Sequence, residues 1–253
     1  MRTKENCLII IQARTDSNRL PGKALADIEG KPMLWHVINR AKKMKYGRVI
    51  VATTTRKIDD KIIEIADKSG VRYFRGKTND VLDRFYKAAL KFKANTIVRI
   101  TGDCPLIDPY ESDKTVSKFL CGNYDYVSND SKTYHNGLDT ECFSFSVLEK
   151  VRREAKLRSE KEHVTSHIWE NPDKFKIGIV HNKSKKRLNH LKWSVDHPSD
   201  LDFVRKVYSK LYTKQRIFTM KDVLNLLKNE PDLTKINAKY KKNEGYLFSL
   251  KND

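Results

Sequence analysis

Arg14, Ser17, Arg19, Gly22 and Lys23 lie together in the stretch QARTDSNRLPGK, residues 12–23, directly after the apolar run CLIII. Three cations, a hydroxyl and a glycine suit a polyphosphate, because cations offset its charge and glycine lets backbone N–H groups approach its oxygens. The stretch is not a P-loop: GxxxxGK[ST] would need glycine where Ser17 stands and a hydroxyl residue where Ala24 follows Lys23. GxGxxG, the dinucleotide fingerprint, is absent as well. Two aspartates complete the set. Asp103 in RITGDCPLIDP follows the run TIVRI, and Asp196 in KWSVDHPSDL ends the run HLKWSV. Two carboxylates reaching one phosphate site would hold magnesium, which commonly takes one or two carboxylates plus substrate phosphates. Taken alone, each aspartate reads equally well as a helix cap or turn former, with Pro105 and Pro198 close behind.

Whether these groups can meet depends on the elements that carry them. Residues 7–11, 49–52, 71–74 and 96–100 are short apolar runs that read as buried strands. Between them, Met33, Leu34, Val37, Ile38, Ala41 and Met44 recur at helical spacing, as do Ile62, Ile63 and Ala66 before Gly70, then Val81, Leu82, Phe85, Ala88, Ala89 and Phe92. Strand and helix alternating in this way predict an α/β fold, a mostly parallel sheet with helices on both faces. Ligands of such sheets bind beyond the carboxyl ends of the strands, where residues 12–23 and Asp103 would both lie. The second half is mixed. Helices are expected near 110–120, 146–156, 162–170 and 220–227, and strands near 124–128, 140–145, 175–180 and 190–195. A capping-box-like Ser199 and Asp202 pair after Pro198 opens a further helix.

Composition narrows the function classes. The chain has 253 residues, 39% of them apolar, enough for one large core. Its net charge of +19 comes from lysines dispersed over clusters such as AKKMKYGR, KVRREAKLRSEK, NKSKKR and KINAKYKKN, which read as a solvated basic surface. No aromatic RNP motif, zinc finger or helix-turn-helix accompanies that charge, so no nucleic-acid partner is expected. Cys7, Cys104, Cys121 and Cys142 stand far apart, without ligand spacing, and read as reduced thiols. With no apolar run of roughly 18 residues and no leader-like start, the expectation is a cytoplasmic protein without a membrane partner.

The blocks QARTDSNRLPGKAL, GKPML, VIVATTT, FRGKTNDVLDRFYKAA, RITGDCPLIDP, NGLDTECFS, KEHVTSHIWENPDKFKIG and LKWSVDHPSDLDFVRKVY together resemble the spore-coat-polysaccharide-type cytidylyltransferase family. That family is related to the acylneuraminate and 3-deoxy-octulosonate cytidylyltransferases. The resemblance implies a Rossmann-like sheet of the nucleotide-diphospho-sugar transferase type, with a mixed α+β insertion in the second half. It implies one nucleotidyltransferase domain over 1–253, an acceptor-binding and dimerisation region over 124–190, a homodimer, and a polar tail over 235–253. It assigns Arg14 and Lys23 to the triphosphate, with Gln12, Ala13, Ser17, Arg19 and Gly22 in the same nucleotide-binding block. Asp103 and Asp196 would hold Mg2+, and with Arg14 and Lys23 form the catalytic set. Asn79, Asp80 and Arg84 would lie beside the base or ribose, although Asn79 and Asp80 also read as an ordinary helix cap. Candidates for the acceptor pocket are Asn136, Asp139 and Glu141 with His135, Glu162 and His163 with His167, and Trp193 with His190. A lone histidine or tryptophan in such blocks is also an ordinary structural group.

The implied reaction is in-line attack by an acceptor oxygen on the α-phosphorus of CTP, with loss of pyrophosphate. Such chemistry asks for alignment and charge neutralisation rather than a nucleophilic side chain. The acceptor would be an anionic small molecule, an acidic sugar, a sugar phosphate or a phosphonate, used in surface polysaccharide or glycan synthesis. Two alternatives stay open at this point: a glycosyltransferase consuming a nucleotide sugar, and a basic nucleic-acid-binding protein.

Overall fold

The computed structural model describes residues 6–129, 133–182, 188, 190–213, 216–240 and 244–253. The four apolar runs of the first half form β1 (Cys7–Gln12), β4 (Arg48–Thr54), β5 (Arg72–Gly76) and β6 (Thr96–Thr101). β1 pairs in parallel with β4 and with β6, and β4 pairs in parallel with β5. Cys7, Ile9 and Ile11 face one core cluster, and Leu8 and Ile10 face the other. Burial on both faces is why β1 reads as an unbroken apolar run and not as an alternating one.

The connecting segments form α1 (Met33–Ala41), α2 (Asp60–Lys68), α3 (Val81–Lys91) and α4 (Pro109–Cys121), as their spacing predicts. Gly70, at φ 66°, follows α2 in the left-handed conformation that closes a helix cheaply only with glycine. A small ribbon of β2 (Asp27–Ile28) and β3 (Lys31–Pro32) stands between the opening loop and α1.

The second half extends the sheet with β7 (Tyr126–Ser128), β8 (Glu141–Ser144) and β9 (Ile177–Ile179). The order is β5-β4-β1-β6-β8-β7-β9, with β8 antiparallel to both β6 and β7. The mostly parallel sheet with an irregular second half therefore holds. Helices α5 (Phe145–Glu154), α8 (Pro198–Leu211) and α9 (Met220–Asn229) occupy the expected places.

Four local expectations are corrected. The single helix over 162–170 is two short helices, α6 (Arg158–His163) and α7 (Ser166–Trp169), separated at Val164, whose φ of 55° a β-branched residue rarely adopts. The run 190–195 is no sheet strand; it makes an isolated bridge between Lys192 and Asn136. The box that opens α8 is built by Asp200, which accepts from the backbone N–H groups of Asp196 and His197 at 3.0 and 2.9 Å, in place of Ser199 and Asp202. The polar tail carries a helix, α10 (Glu244–Leu250), that lies against α6. Cys7, Cys104 and Cys142 are buried and Cys121 is exposed, all four unbridged. No described helix is long and apolar enough to cross a membrane.

Candidate active site

The opening loop leaves the carboxyl end of β1 folded back on one residue. Thr15 O accepts from Ser17 N at 3.1 Å and Gly22 N at 2.8 Å. Thr15 is itself pinned, since its N–H and hydroxyl both donate to buried Asp59, at 2.8 and 2.7 Å. Gly22, at φ 75°, turns the chain into a single 3-10 turn over Lys23–Leu25. It does not line the cleft: its part is to aim Lys23 inward, a conformation that only glycine adopts without strain.

Lys23 is the centre of the site. Its Nζ lies 2.7 Å from Asp103 Oδ2, 3.1 Å from Asp196 Oδ1 and 2.6 Å from the Val195 carbonyl. Burial alone would lower its pKa, but the two carboxylates outweigh that and raise it. Burial pushes the Asp196 carboxyl the other way, and Lys23, Lys192 and Arg19 together hold it well below the usual range. Arg19 Nη2 reaches Asp196 Oδ1 at 2.5 Å, and Lys192 Nζ lies 3.3 Å from Oδ2. Asp103 thus comes from the end of β6 and Asp196 from an extended segment, and the two meet at one amine.

That extended segment is placed by the NGLD block. The Asn136 carbonyl accepts from Trp193 N, and the Asp103 carbonyl from Val195 N, both at 2.8 Å. Gly137 passes so close that a Cβ on it would stand 2.5 Å from Ser194 N. Asp139 accepts from Gly137 N at 2.8 Å and from the Asn136 amide at 3.3 Å. Asn136 and Asp139 therefore clamp the segment that bears Asp196, and neither lines the cleft. Trp193 is a core residue, 1% exposed, its ring against His135. His167 is bound between Glu160 and Glu154 at 2.6 and 3.3 Å, and His190 is exposed away from the cleft.

Glu141 also departs from its expected place. It is buried and accepts from Arg99 Nη1, from Tyr126 OH at 2.6 Å and from Thr165 Oγ1 at 2.6 Å. Arg99 Nε in turn donates to Gln12 Oε1 at 3.0 Å, so this buried cluster orients the Gln12 side chain on the cleft floor. Removing one member of a buried ion pair strands the other. Glu141→Ala is expected to lower the stability of the chain by about 3–5 kcal/mol, read as a lower urea midpoint at unchanged slope. A midpoint equal to that of wild type would contradict the placement.

The cleft, about 450 Å³, opens among the loop, β6 and α6. Gln12, Ala13, Arg14, Ser17, Arg19, Lys23, Asn79, Arg84, Asp103 and Asp196 all line it, as do Glu162 and His163. Asp80 does not; its carboxylate caps α3 by accepting from Asp83 N at 2.8 Å. Arg84 is 2% exposed and donates to the carbonyls of Lys77 and Thr78, at 2.7 and 3.0 Å, shaping the loop that carries Asn79. Arg14 is held loosely, 3.7 Å from Glu162 and 3.8 Å from Asp16. Burial and the Arg99 charge push His163 down to about 4, so its ring is neutral at neutral pH.

Sequence reasoning missed Lys192 and Asp200, which hold Asp196, and missed Arg158, Phe248, Ser249 and Asn252 on the cleft wall. No signal in those segments distinguishes them from a solvated basic face and a polar tail. Among the described residues no group of three or more His, Cys, Asp or Glu could hold a metal; the converging carboxylates are the pair Asp103 and Asp196.

Comparisons with known proteins identify the family. A family model for cytidylyltransferases matches residues 8–242. The chain is 28% identical to the spore coat polysaccharide biosynthesis protein SpsF of Bacillus subtilis, over 89% of this chain and 95% of that protein. It is 42% identical over 108 residues to the 3-deoxy-manno-octulosonate cytidylyltransferase of Bartonella tribocorum, covering 41% of this chain and 44% of that enzyme. The structure of a cytidylyltransferase from Leptospira borgpetersenii superimposes with a TM-score of 0.85 at 32% identity, covering 94% of this chain and 99% of that one.

Proposed function

The chain belongs to the cytidylyltransferase family, which makes it a nucleotidyltransferase, and on that premise we propose that it transfers CMP from CTP to an anionic acceptor, releasing pyrophosphate. The observation that carries this reading is the meeting of Asp103 and Asp196 at the amine of Lys23, with Arg14 and Arg19 lining the same cleft. A triphosphate entering there would take Lys23 and the arginines as partners, releasing the two carboxylates from their ion pairs. Those carboxylates fit Mg2+, because oxygens of both already lie within hydrogen-bonding distance of one atom. The ion would supply charge neutralisation at the phosphates.

The remaining work belongs to the chain's own groups. Lys23 and Arg14 offset the charge that spreads over the α-phosphoryl oxygens and the leaving pyrophosphate, and the pinned loop keeps them in place without reorganisation. Thr78 and Asn79, on the loop shaped by Arg84, stand where the nucleoside would lie. Arg158, Glu162 and His163 also line the cleft and would meet the acceptor, with Arg158 as the partner for its anionic group. Similarity to SpsF supports a role in making a surface polysaccharide.

Thermal unfolding with CTP, UTP, GTP or ATP, each with and without magnesium, tests the reading. A ligand at about 100 times its dissociation constant adds roughly 2.7 kcal/mol, so CTP with magnesium is expected to raise the midpoint most. A pyrophosphate-release screen of anionic sugars then identifies the acceptor. A midpoint that no triphosphate moves would sink the assignment.

A further inference from the structure

Helix α10 lies beyond the residues matched by the family model, which end at 242, yet it closes one side of the cleft. It is tied along its length to distant parts of the chain. Glu244 pairs with His197 at 2.9 Å, the Tyr246 hydroxyl donates to Glu170 at 2.6 Å, and Asp253 accepts from Ser159 N at 2.6 Å. Gly245 lets the helix approach Arg19 of the opening loop, to which a Cβ there would stand 3.3 Å from Nη1. Ser249 is the buried residue of this helix, 5% exposed. Its hydroxyl lies 3.0 Å from Glu162 Oε2 and 3.0 Å from His163 Nε2.

We propose that Ser249 is a positioning residue: it fixes the tautomer of His163, leaving the other ring nitrogen to accept a hydrogen bond from the attacking hydroxyl of the acceptor. The proton count sets the tautomer. A serine hydroxyl has one proton, and both the Glu162 carboxylate at 3.0 Å and the Gly245 carbonyl at 3.1 Å can only accept, so that proton goes to one of these oxygens and not to the ring. His163 Nε2 must then donate to the serine oxygen, and in a neutral ring Nδ1 is left unprotonated. Among the described residues no protein group bonds Nδ1, and His163 lines the cleft. Glu162 also faces Arg14 at 3.7 Å, so one carboxylate links the triphosphate loop to the helix that sets the histidine. A carboxylate and an unprotonated ring nitrogen would repel a phosphate oxygen, so the attacking group is a hydroxyl. This rests on the cytidylyl-transfer reading and adds to it the identity of the group that meets the acceptor.

The test uses the full chain. Long-range proton–nitrogen spectra of 15N-labelled protein, with the His163 signals assigned by their loss in His163→Gln, are expected to show the proton on Nε2. Ser249→Ala is expected to mix the tautomers, and Ser249→Thr to restore the wild-type pattern. Both variants should bind CTP within about twofold of wild type. With the acidic sugar that passes the pyrophosphate screen, Ser249→Ala should lose about tenfold in kcat, with Thr recovering it. A proton on Nδ1 in wild type, a tautomer unmoved by Ser249→Ala, or an unchanged kcat would each overturn the proposal. A wild-type chain that CTP does not stabilise would instead overturn the nucleotide reading, leaving the spectra to decide the tautomer.

Discussion

Replacing Lys23 with alanine is expected to lower kcat by about 10²–10³-fold, the usual cost of losing one preorganised donor at developing charge. The structure adds a second consequence that its position in the sequence does not suggest. Lys23 is 12% exposed and binds two carboxylates and the Val195 carbonyl, so its loss leaves acceptors unpaired where the Asp196 segment joins the sheet. A stability loss of about 1–3 kcal/mol should accompany the loss of rate. Arg14→Ala separates the two effects. Arg14 is 37% exposed and its ion pairs are 3.7 and 3.8 Å long, so the variant should lose rate while unfolding at the wild-type urea concentration, exposed pairs being worth about 0–1 kcal/mol.

The Lys23 variant also carries a pH signature. Asp196 is held well below the usual carboxylate range, so its pairing contributes stability fully above the unfolded value near pH 3.9. That contribution is lost as pH falls through the depressed folded value. Acid unfolding of Lys23→Ala should therefore begin at higher pH than in wild type. A variant with wild-type turnover and wild-type acid stability would remove Lys23 from the centre of the site.

Asp103→Asn is the second large expectation. Asparagine keeps the shape and one oxygen but removes the charge, so a hard cation loses half of its protein carboxylate pair. Turnover should fall by about 10²–10³-fold, and CTP should stabilise the variant equally with and without magnesium. Titrating the metal against pyrophosphate release gives the decisive reading. If half-saturation by magnesium stays where wild type has it, Asp103 does not hold the ion.

Much of the architecture was legible from local pattern. Residues 7–11 and 49–52 are unbroken apolar runs because both faces of their strands are packed against the core, residues 96–100 are apolar but for Thr96 and Arg99, and the helices between them show their inner faces at the helical period. The opening loop was legible for a related reason: a polar, cationic stretch that leaves a buried strand of a parallel sheet must emerge at the ligand-binding edge. Lys23 reaches the cleft from that loop and Asp103 follows from the strand before it, whereas Gly22, expected at the phosphate, lies off the cleft and turns the chain instead.

Other features depend on partners far away in the chain. Residues 190–195 alternate apolar and polar groups as a strand would, yet their neighbours are Asn136 and Asp103, so they are clamped in place by loop residues and join no ladder. Glu141 is polar in a block that invites an acceptor, but Arg99, Tyr126 and Thr165 surround it, and the pocket it was expected to line lies elsewhere. The tail reads only as polar, with no place in the fold assigned to it, whereas Glu244, Tyr246 and Asp253 find His197, Glu170 and Ser159 and lay Ser249 against the cleft. Composition and periodicity report which face of an element is buried, and that sufficed for the first-half sheet, its helices and the position of the opening loop. Which polar groups meet is a matter of side chains converging from opposite ends of the chain, and only the packed molecule brings Asp196 to Lys23 and Ser249 to His163.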